Sequence, residues 1–348
     1  MALANDGKHL TLPHAIQEFR MNLGFLPTLW AESGDFVLVD DVLFAIKALS
    51  QLHRPHADVL FITTKDLKHL VFDNIEPWGW DKAVRQTLAD AGISADSLPS
   101  DEHLAYIRHL SDRKHTAEAL VQLRDGVERM TCGESMRCTS VEEVYDQLHR
   151  HGKIVIKAPW SSSGRGVRYA EKSMDKPMTG WINKTIAKQG GIMTEPYYKK
   201  VKDFALEFYS HGDGRTDYCG MSVFITNKSS YAGNLIATEE EKMAEICRLL
   251  PKELINDTIL RLSSYLGKSE FGRYRGPLGV DMMAVAKADG RGFLLHPCVE
   301  INVRRTMGHV ANAFRPEPTE PQRLMHIVHD VNYKLKFDNI DNHFVKVI

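Results

Sequence analysis

Apolar and polar positions change rhythm several times along this 348-residue chain. Between about residues 25 and 110, the short apolar runs FVLVDD (36–41) and VLFITT (59–64) alternate with KDLKHLVFDNI (65–75) and WDKAVRQTLADAG (80–92). The first two suit strands; in the other two, apolar residues recur three and four apart, the spacing of an amphipathic helix. Asp81 is suited to cap the second helix, because its short carboxylate can accept from a backbone N–H of the first turn. Alternating strand and helix reads as an open α/β domain, 1–110. Within it, Trp78-Gly79-Trp80 forms a tight turn whose two indoles suit either a domain interface or substrate contact.

A second stretch, 111–192, predicts helices at SDRKHTAEALVQL (111–123) and SVEEVYDQLHRHG (140–152). Ser140 and Glu143 have the spacing of a capping box. The β-branched run Ile154, Val155, Ile156 then reads as a covered strand. It leads into Lys157 and the loop SSSGRG at 161–166. A third stretch, 193–348, carries MTEPYYKKVKDFALEF (193–208), a strand YCGMSVFIT (218–226) and a capped helix TEEEKMAEICRLL (238–250). Two strands follow, LGVDMM (278–283) and FLLHPCVEINVRRTMGH (293–309), joined by a turn at 289–292.

The chemistry concentrates in the last two stretches. Gly164 and Gly166 let backbone N–H groups turn toward an anion, while Lys157 and Arg165 supply positive charge, so this loop suits phosphate. It is neither G-x-x-x-x-G-K-[ST] nor G-x-G-x-x-G. The hairpin formed by the last two strands presents Asp281, Glu300 and Asn302 side by side. Their oxygens are hard ligands suited to Mg²⁺ carrying nucleotide phosphates.

In this order, these segments resemble the ATP-grasp superfamily of ATP-dependent ligases, over roughly residues 111–314. The loop K-x-x-x-S-S-S-G-[KR]-G is similar to that of formate-dependent glycinamide ribonucleotide transformylases. The ending E-x-N-x-R (Glu300, Asn302, Arg304) resembles biotin carboxylase and carbamoyl phosphate synthetase. The resemblance implies an α/β pre-ATP-grasp domain followed by an α+β part of two subdomains, with ATP held between two antiparallel sheets. It further implies that Lys157 contacts the α/β phosphates, that Ser161, Ser162, Ser163, Gly164 and Gly166 close over the β/γ phosphates, and that Arg113 faces them. The hinge Glu195, Pro196, Tyr197, Tyr198 would hold adenine, and Asp203 the ribose. Asp281, Glu300 and Asn302 would hold magnesium, two ions with Glu300 between them, with Mn²⁺ as a substitute. Arg304 and Arg165 would act as catalytic cations.

Two departures from the pattern stand out. Relatives acting on D-alanine carry an Arg two residues before the first metal acid, where this chain has Gly279, so Arg304, Arg305, Arg273 and Arg275 are the candidates to stabilise an acyl phosphate. The long interval from Asp281 to Glu300 implies an extended hairpin around 287–297.

Composition narrows the class. A formal net charge of −1 gives no general attraction to nucleic acid or anionic membrane. Five cysteines without a C-x-x-C pair suit a reducing, cytoplasmic setting. The polar N-terminus lacks a signal-peptide core, and no run of about 18 apolar residues occurs. Sixteen histidines show no H-x-x-x-H or H-E-x-x-H pair, so His151, His296 and His309 read as surface or packing groups and no zinc is expected. Without a G-x-S-x-G elbow, Ser161–Ser163 fit phosphate better than hydrolysis. The expectation is a ligase joining a small-molecule carboxylate to an amine with ATP and Mg²⁺, with a homodimer as the default assembly. The alternatives are a small-molecule kinase of the same fold or a non-catalytic ATP-binding regulator.

Overall fold

The computed structural model describes residues 14–52, 57–161, 166–227 and 230–340. In chain order the elements are α1 (His14–Asn22), β1 (Phe36–Leu38), α2 (Val42–Ser50), β2 (Leu60–Ile62), α3 (Lys82–Asp90), α4 (Asp101–Leu110), α5 (Lys114–Arg124) and β3 (Met136–Cys138). Then come α6 (Val141–His151), β4 (Lys153–Lys157), β5 (Val167–Glu171), α7 (Lys176–Gln189), β6 (Ile192–Pro196), β7 (Lys200–His211), β8 (Thr216–Asn227) and β9 (Ser230–Ile236). The chain continues through α8 (Glu239–Cys247), α9 (Lys252–Lys268), β10 (Arg275–Ala286), β11 (Phe293–Asn302), α10 (Met307–Ala313), β12 (Arg323–His329) and β13 (Tyr333–Asn339).

These strands form three sheets: parallel β1-β2, antiparallel β3-β6-β4-β5, and the seven-stranded β11-β10-β7-β8-β9-β12-β13. The four-stranded sheet buries Ile154, Ile156 and Ile192 against Val144 and Leu148 of α6 and Ile182 of α7. In the seven-stranded sheet, Leu278, Val280, Met282 and Ala284 alternate along β10 and pack with Leu254, Ile255 and Leu262 of α9. That alternation sends Gly279, Asp281 and Met283 to the opposite face, since neighbouring strand residues point to opposite sides. The N-terminal segment does not stand apart: Leu23, Phe25, Val37 and Val39 share a core with Val310 and Phe314 at α10 and with Met325 of β12.

Several expectations are revised. The N-terminal α/β part has, among the described residues, only the two paired strands β1 and β2. Residues 65–75 are not an amphipathic helix; a 3-10 turn at Leu67–His69 is the helical piece there. Asp66 takes hydrogen bonds from Thr63 N at 2.7 Å and Thr63 Oγ1 at 2.8 Å. This local turn competes with helix nucleation. Asp81 does cap α3, accepting from Val84 N. Ser140 caps α6, yet the Glu143 carboxylate turns to Thr139 N instead of Ser140 N, so the capping box is half made. Full boxes occur at α8, between Thr238 and Glu241, and at α10, between Thr306 and His309.

β6 runs to Pro196 and pairs with β4, so the four-stranded sheet extends past residue 192. Helix α5 contributes Ala119, Leu120 and Leu123 to the core of the seven-stranded sheet. The extra length between Asp281 and Glu300 is mainly strand, with a register shift between the Asp281 and Met283 pairs. Among the described residues, no helix is long and apolar enough to cross a membrane.

Candidate nucleotide and metal site

The predicted site residues meet where β4 and β6, the central strands of the four-stranded sheet, approach the β10–β11 edge of the seven-stranded one. On the metal side, antiparallel pairing sets Asp281 directly opposite Glu300 and Gly279 opposite Asn302. Opposed residues of an antiparallel pair share a face, so one hairpin delivers the three oxygen donors together. Burial first, then the charges of Glu300 and Glu207, push the Asp281 carboxyl up to about 8, against Arg304 and a hydrogen bond from Asn302. Burial acts on Glu300 in the same direction, but Arg113, Lys157 and Arg304 outweigh it and hold that carboxyl below its ordinary value. Two neighbouring acids are thus driven apart, Glu300 paired with cations and ionised, Asp281 holding its proton near neutral pH.

On the phosphate side, Lys157 ends β4 and its Nζ lies 2.6 Å from Glu195 Oε2, both side chains less than a tenth exposed. Lys157 is opposite Met193 and Glu195 opposite Val155, so the ion pair is a diagonal across β4 and β6. Sequence reasoning assigned Glu195 to the adenine hinge; the structure adds its carboxylate as the lysine's counter-ion. Arg113 joins the two sheets: its guanidinium donates to Ala158 O at 2.6 Å, Ser161 Oγ at 2.7 Å and Glu300 Oε1 at 2.7 Å. Gly166 is required where it stands, since a Cβ there would lie 2.3 Å from Ser161 Cβ. Ser162, Ser163, Gly164 and Arg165 lie outside the described residues.

The remaining predicted residues line the same region. Tyr198 meets His296 edge-on at 5.5 Å, while Tyr197 is capped by Lys153 at 4.3 Å. Pro196 closes β6 opposite Ile154. Asp203 pairs with Met283, on the Asp281 face, and holds Lys200 at 2.5 Å and Thr226 at 2.8 Å. Its carboxylate therefore already has partners.

The arginine candidates separate. Arg304 donates to Asn302 Oδ1 at 3.0 Å and so belongs to the metal end. Arg305 is buried, bonded to Glu76 at 3.2 Å and stacked 4.3 Å over Trp30. Arg273 lies 5.2 Å over Tyr106, and Arg275 is exposed at the start of β10. The Trp78-Gly79 turn braces this pair: Trp78 O accepts from Arg305 N at 2.8 Å, and a Cβ on Gly79 would stand 2.8 Å from Arg304 Cβ. Trp78 also meets Trp30 at 6.3 Å.

Sequence reasoning missed one cluster. Buried Glu207 accepts from Thr306 Oγ1 at 2.8 Å and pairs with His309 Nδ1 at 3.0 Å. A Cβ on Gly279 would stand 2.6 Å from Glu207 Oε2, which gives a physical reason for glycine at that position. The signal was present in the spacing of Thr306, Gly308 and His309 but needed their partner on β7.

No protein-family model matches the chain, and no curated protein matches it by sequence. Solved structures do. Biotin carboxylase from Campylobacter jejuni, in a βγ-ATP complex, aligns at TM-score 0.52 and 12% identity over 88% of this chain and 73% of that one. An N5-carboxyaminoimidazole ribonucleotide synthetase in its ADP complex aligns at TM-score 0.49 and 14% identity, over 88% and 79%. The biotin carboxylase domain of the 2-oxoglutarate carboxylase of Hydrogenobacter thermophilus, with MgADP, ADP and bicarbonate, aligns at 0.45 and 14%. That alignment covers 65% of this chain and about half, 51%, of the other. The chain has the ATP-grasp fold.

Proposed function

We propose that this protein is an ATP-dependent ligase that joins a small-molecule carboxylate to an amine and releases ADP and phosphate. The observation that carries the reading is the Arg113 bridge: one guanidinium binds the phosphate-loop residue Ser161 and the metal-side acid Glu300. A polyphosphate lying between the two would meet Lys157 on one side and the acid pair on the other. Biotin carboxylase from Campylobacter jejuni, of the same fold, is known in a βγ-ATP complex.

Asp281, Glu300 and Asn302 offer only hard oxygens, and burial, then the nearby Glu300 and Glu207, raises the Asp281 pKa, so that a cation would displace its proton. This donor set fits Mg²⁺. When bound, magnesium supplies neutralising charge for the phosphates. Lys157 then orients the α/β phosphates, with Glu195 fixing its ammonium. The γ-phosphoryl group passes from ATP to a carboxylate oxygen: the bond from Pγ to the β-phosphate oxygen breaks, ADP leaves and an acyl phosphate forms. The amine attacks the acyl carbon, the C–O bond to phosphate breaks and an amide forms. Arg304 stabilises charge on the transferred group, and Arg165 of the loop acts with it. Such a site works by positioning and preorganised charge, without a protein nucleophile. Asp203 and the hinge Glu195–Tyr198 hold ribose and adenine.

A phosphate-release screen of the purified protein with MgATP against amino acids and small carboxylates tests this. A new amide in the products supports the ligase reading; a phosphorylated metabolite, or no turnover with any acceptor, counts against it.

A further inference from the structure

Outside the cleft, α4, α5 and the turn after α9 bring together two imidazoles and two carboxylates. His109 Nε2 lies 2.8 Å from Glu270 Oε2, and His115 Nδ1 lies 2.8 Å from Glu118 Oε2. The two rings are 4.9 Å apart and nearly perpendicular. One ligand atom each from His109, His115 and Glu270 all lie within 4.8 Å of one another. An opening of about 200 Å³ adjoins them, lined by His115, Glu118 and Glu270 together with Tyr265 and Phe271. The sequence rule that speaks against zinc covers pairs within one helix; here the donors come from three separate elements.

The hydrogen bonding around His115 points to a cation. Its Nε2 faces the carbonyl oxygen of His109 at 3.1 Å, and a carbonyl only accepts, so Nε2 carries the hydrogen. A neutral ring then offers only a lone pair at Nδ1, toward a carboxylate oxygen that also only accepts. Either a proton or a metal ion must lie between two such acceptors. A ring nitrogen donating to a backbone carbonyl while the other is left for a metal is also the usual arrangement of a ligating histidine. A dication among His109, His115 and Glu270 would lie between the two rings and the Glu270 carboxylate, with the Glu118 carboxylate beside His115. Lys114, which also lines the opening, opposes a cation; the two carboxylates outnumber it.

We propose that His109, His115 and Glu270, with the Glu118 carboxylate beside His115, form a second metal site that takes a borderline divalent cation of the zinc class. Two nitrogens and one oxygen suit Zn²⁺ or Co²⁺ and are poor partners for Mg²⁺, so this site and the oxygen-only cleft select different ions. The ion would tie the α4–α5 turn to the Glu270–Arg273 turn. This inference does not depend on the proposed ligase activity.

The test uses the full chain, stripped with a chelator and held in saturating Mg²⁺. Zn²⁺ affinity is read by competition with a chromophoric chelator, and Co²⁺ by its visible absorption. The expected result is one Zn²⁺ per chain and visible Co²⁺ bands. His109→Ala and Glu270→Gln alter side chains that reach the surface, 42% and 59% exposed, so folding is not at issue; each should weaken Zn²⁺ at least tenfold and remove the bands. Glu300→Gln should leave both unchanged. No Zn²⁺ uptake by the wild type, wild-type affinity in both surface variants, or loss of the ion in Glu300→Gln instead would overturn the site.

Discussion

The two sides of the cleft solve opposite electrostatic problems. On the four-stranded sheet, Lys157 is buried but complete, with Glu195 at 2.6 Å supplying its countercharge within the same sheet. On the seven-stranded sheet, Glu300 has Arg113, while Asp281 is left with its carboxyl at about 8. One side is paired before any ligand arrives; on the other, burial and neighbouring acids hold a proton on Asp281 near neutral pH that a cation would displace. A carboxyl buried without a paired cation is a stronger pointer to a ligand than a charge the protein has already paired.

The largest effect should come from breaking the complete side. Glu195→Ala leaves a buried ammonium without its partner, and removal of one member of a buried pair costs about 3–5 kcal/mol. Urea unfolding should show that loss. The double replacement Lys157→Met with Glu195→Leu should recover much of the stability while nucleotide binding stays lost. Equal instability in the double variant would mean the pair is not the relevant unit.

Next, Glu300→Gln keeps the shape of the side chain but removes the charge facing Arg113 and the cation. Phosphoryl transfer should slow by about 10²-fold or more while ATP still binds through Lys157, as losses of preorganised charge do. Single-turnover measurements check this, and near-wild-type rates would remove the metal role assigned to Glu300.

A pH effect follows from His296, where burial, then the charges of Lys157 and Arg124, lower the imidazole pKa to about 3. The folded ring stays neutral, whereas the unfolded one binds a proton below its ordinary 6.5. Its contribution to stability is therefore present above about 6.5 and is lost as pH falls toward 3, at about 1.4 kcal/mol per pH unit. Denaturation of His296→Phe across that window should show a shallower acid slope than the wild type. A parallel slope would contradict the assignment.

The smallest effect concerns the brace. Gly79→Ala places a methyl 2.8 Å from Arg304 Cβ, so the arginine must shift. Turnover should fall by up to about tenfold, as small misplacements of a charge do, with ATP affinity nearly constant. A change in affinity alone would argue that Arg304 serves nucleotide binding.

What was legible in the sequence was local. The covered strand into Lys157 and the Asp281/Glu300/Asn302 hairpin were readable because side-chain alternation carries which residues share a face, but Asp281 stands opposite Glu300 only through the register shift between Asp281 and Met283. The Arg113–Glu300 and Glu207–Thr306–His309 contacts were not, because they join residues distant in sequence and leave no periodic trace. Residues 65–75 misled for the opposite reason: the apolar spacing was helical, but the Asp66–Thr63 turn won locally. The brace on Arg304 and Arg305 was visible only as an aromatic turn of two meanings.

The central claim is that a cation completes a nucleotide site beside the Lys157–Glu195 pair that the four-stranded sheet already holds. The most direct measurement is thermal unfolding with ATP alone, with Mg²⁺ alone and with MgATP or a nonhydrolysable analogue. MgATP at about 100 times its dissociation constant should add roughly 2.7 kcal/mol of stability, well beyond ATP or Mg²⁺ separately. No shift with MgATP or the analogue, in protein shown to be folded, would contradict the account.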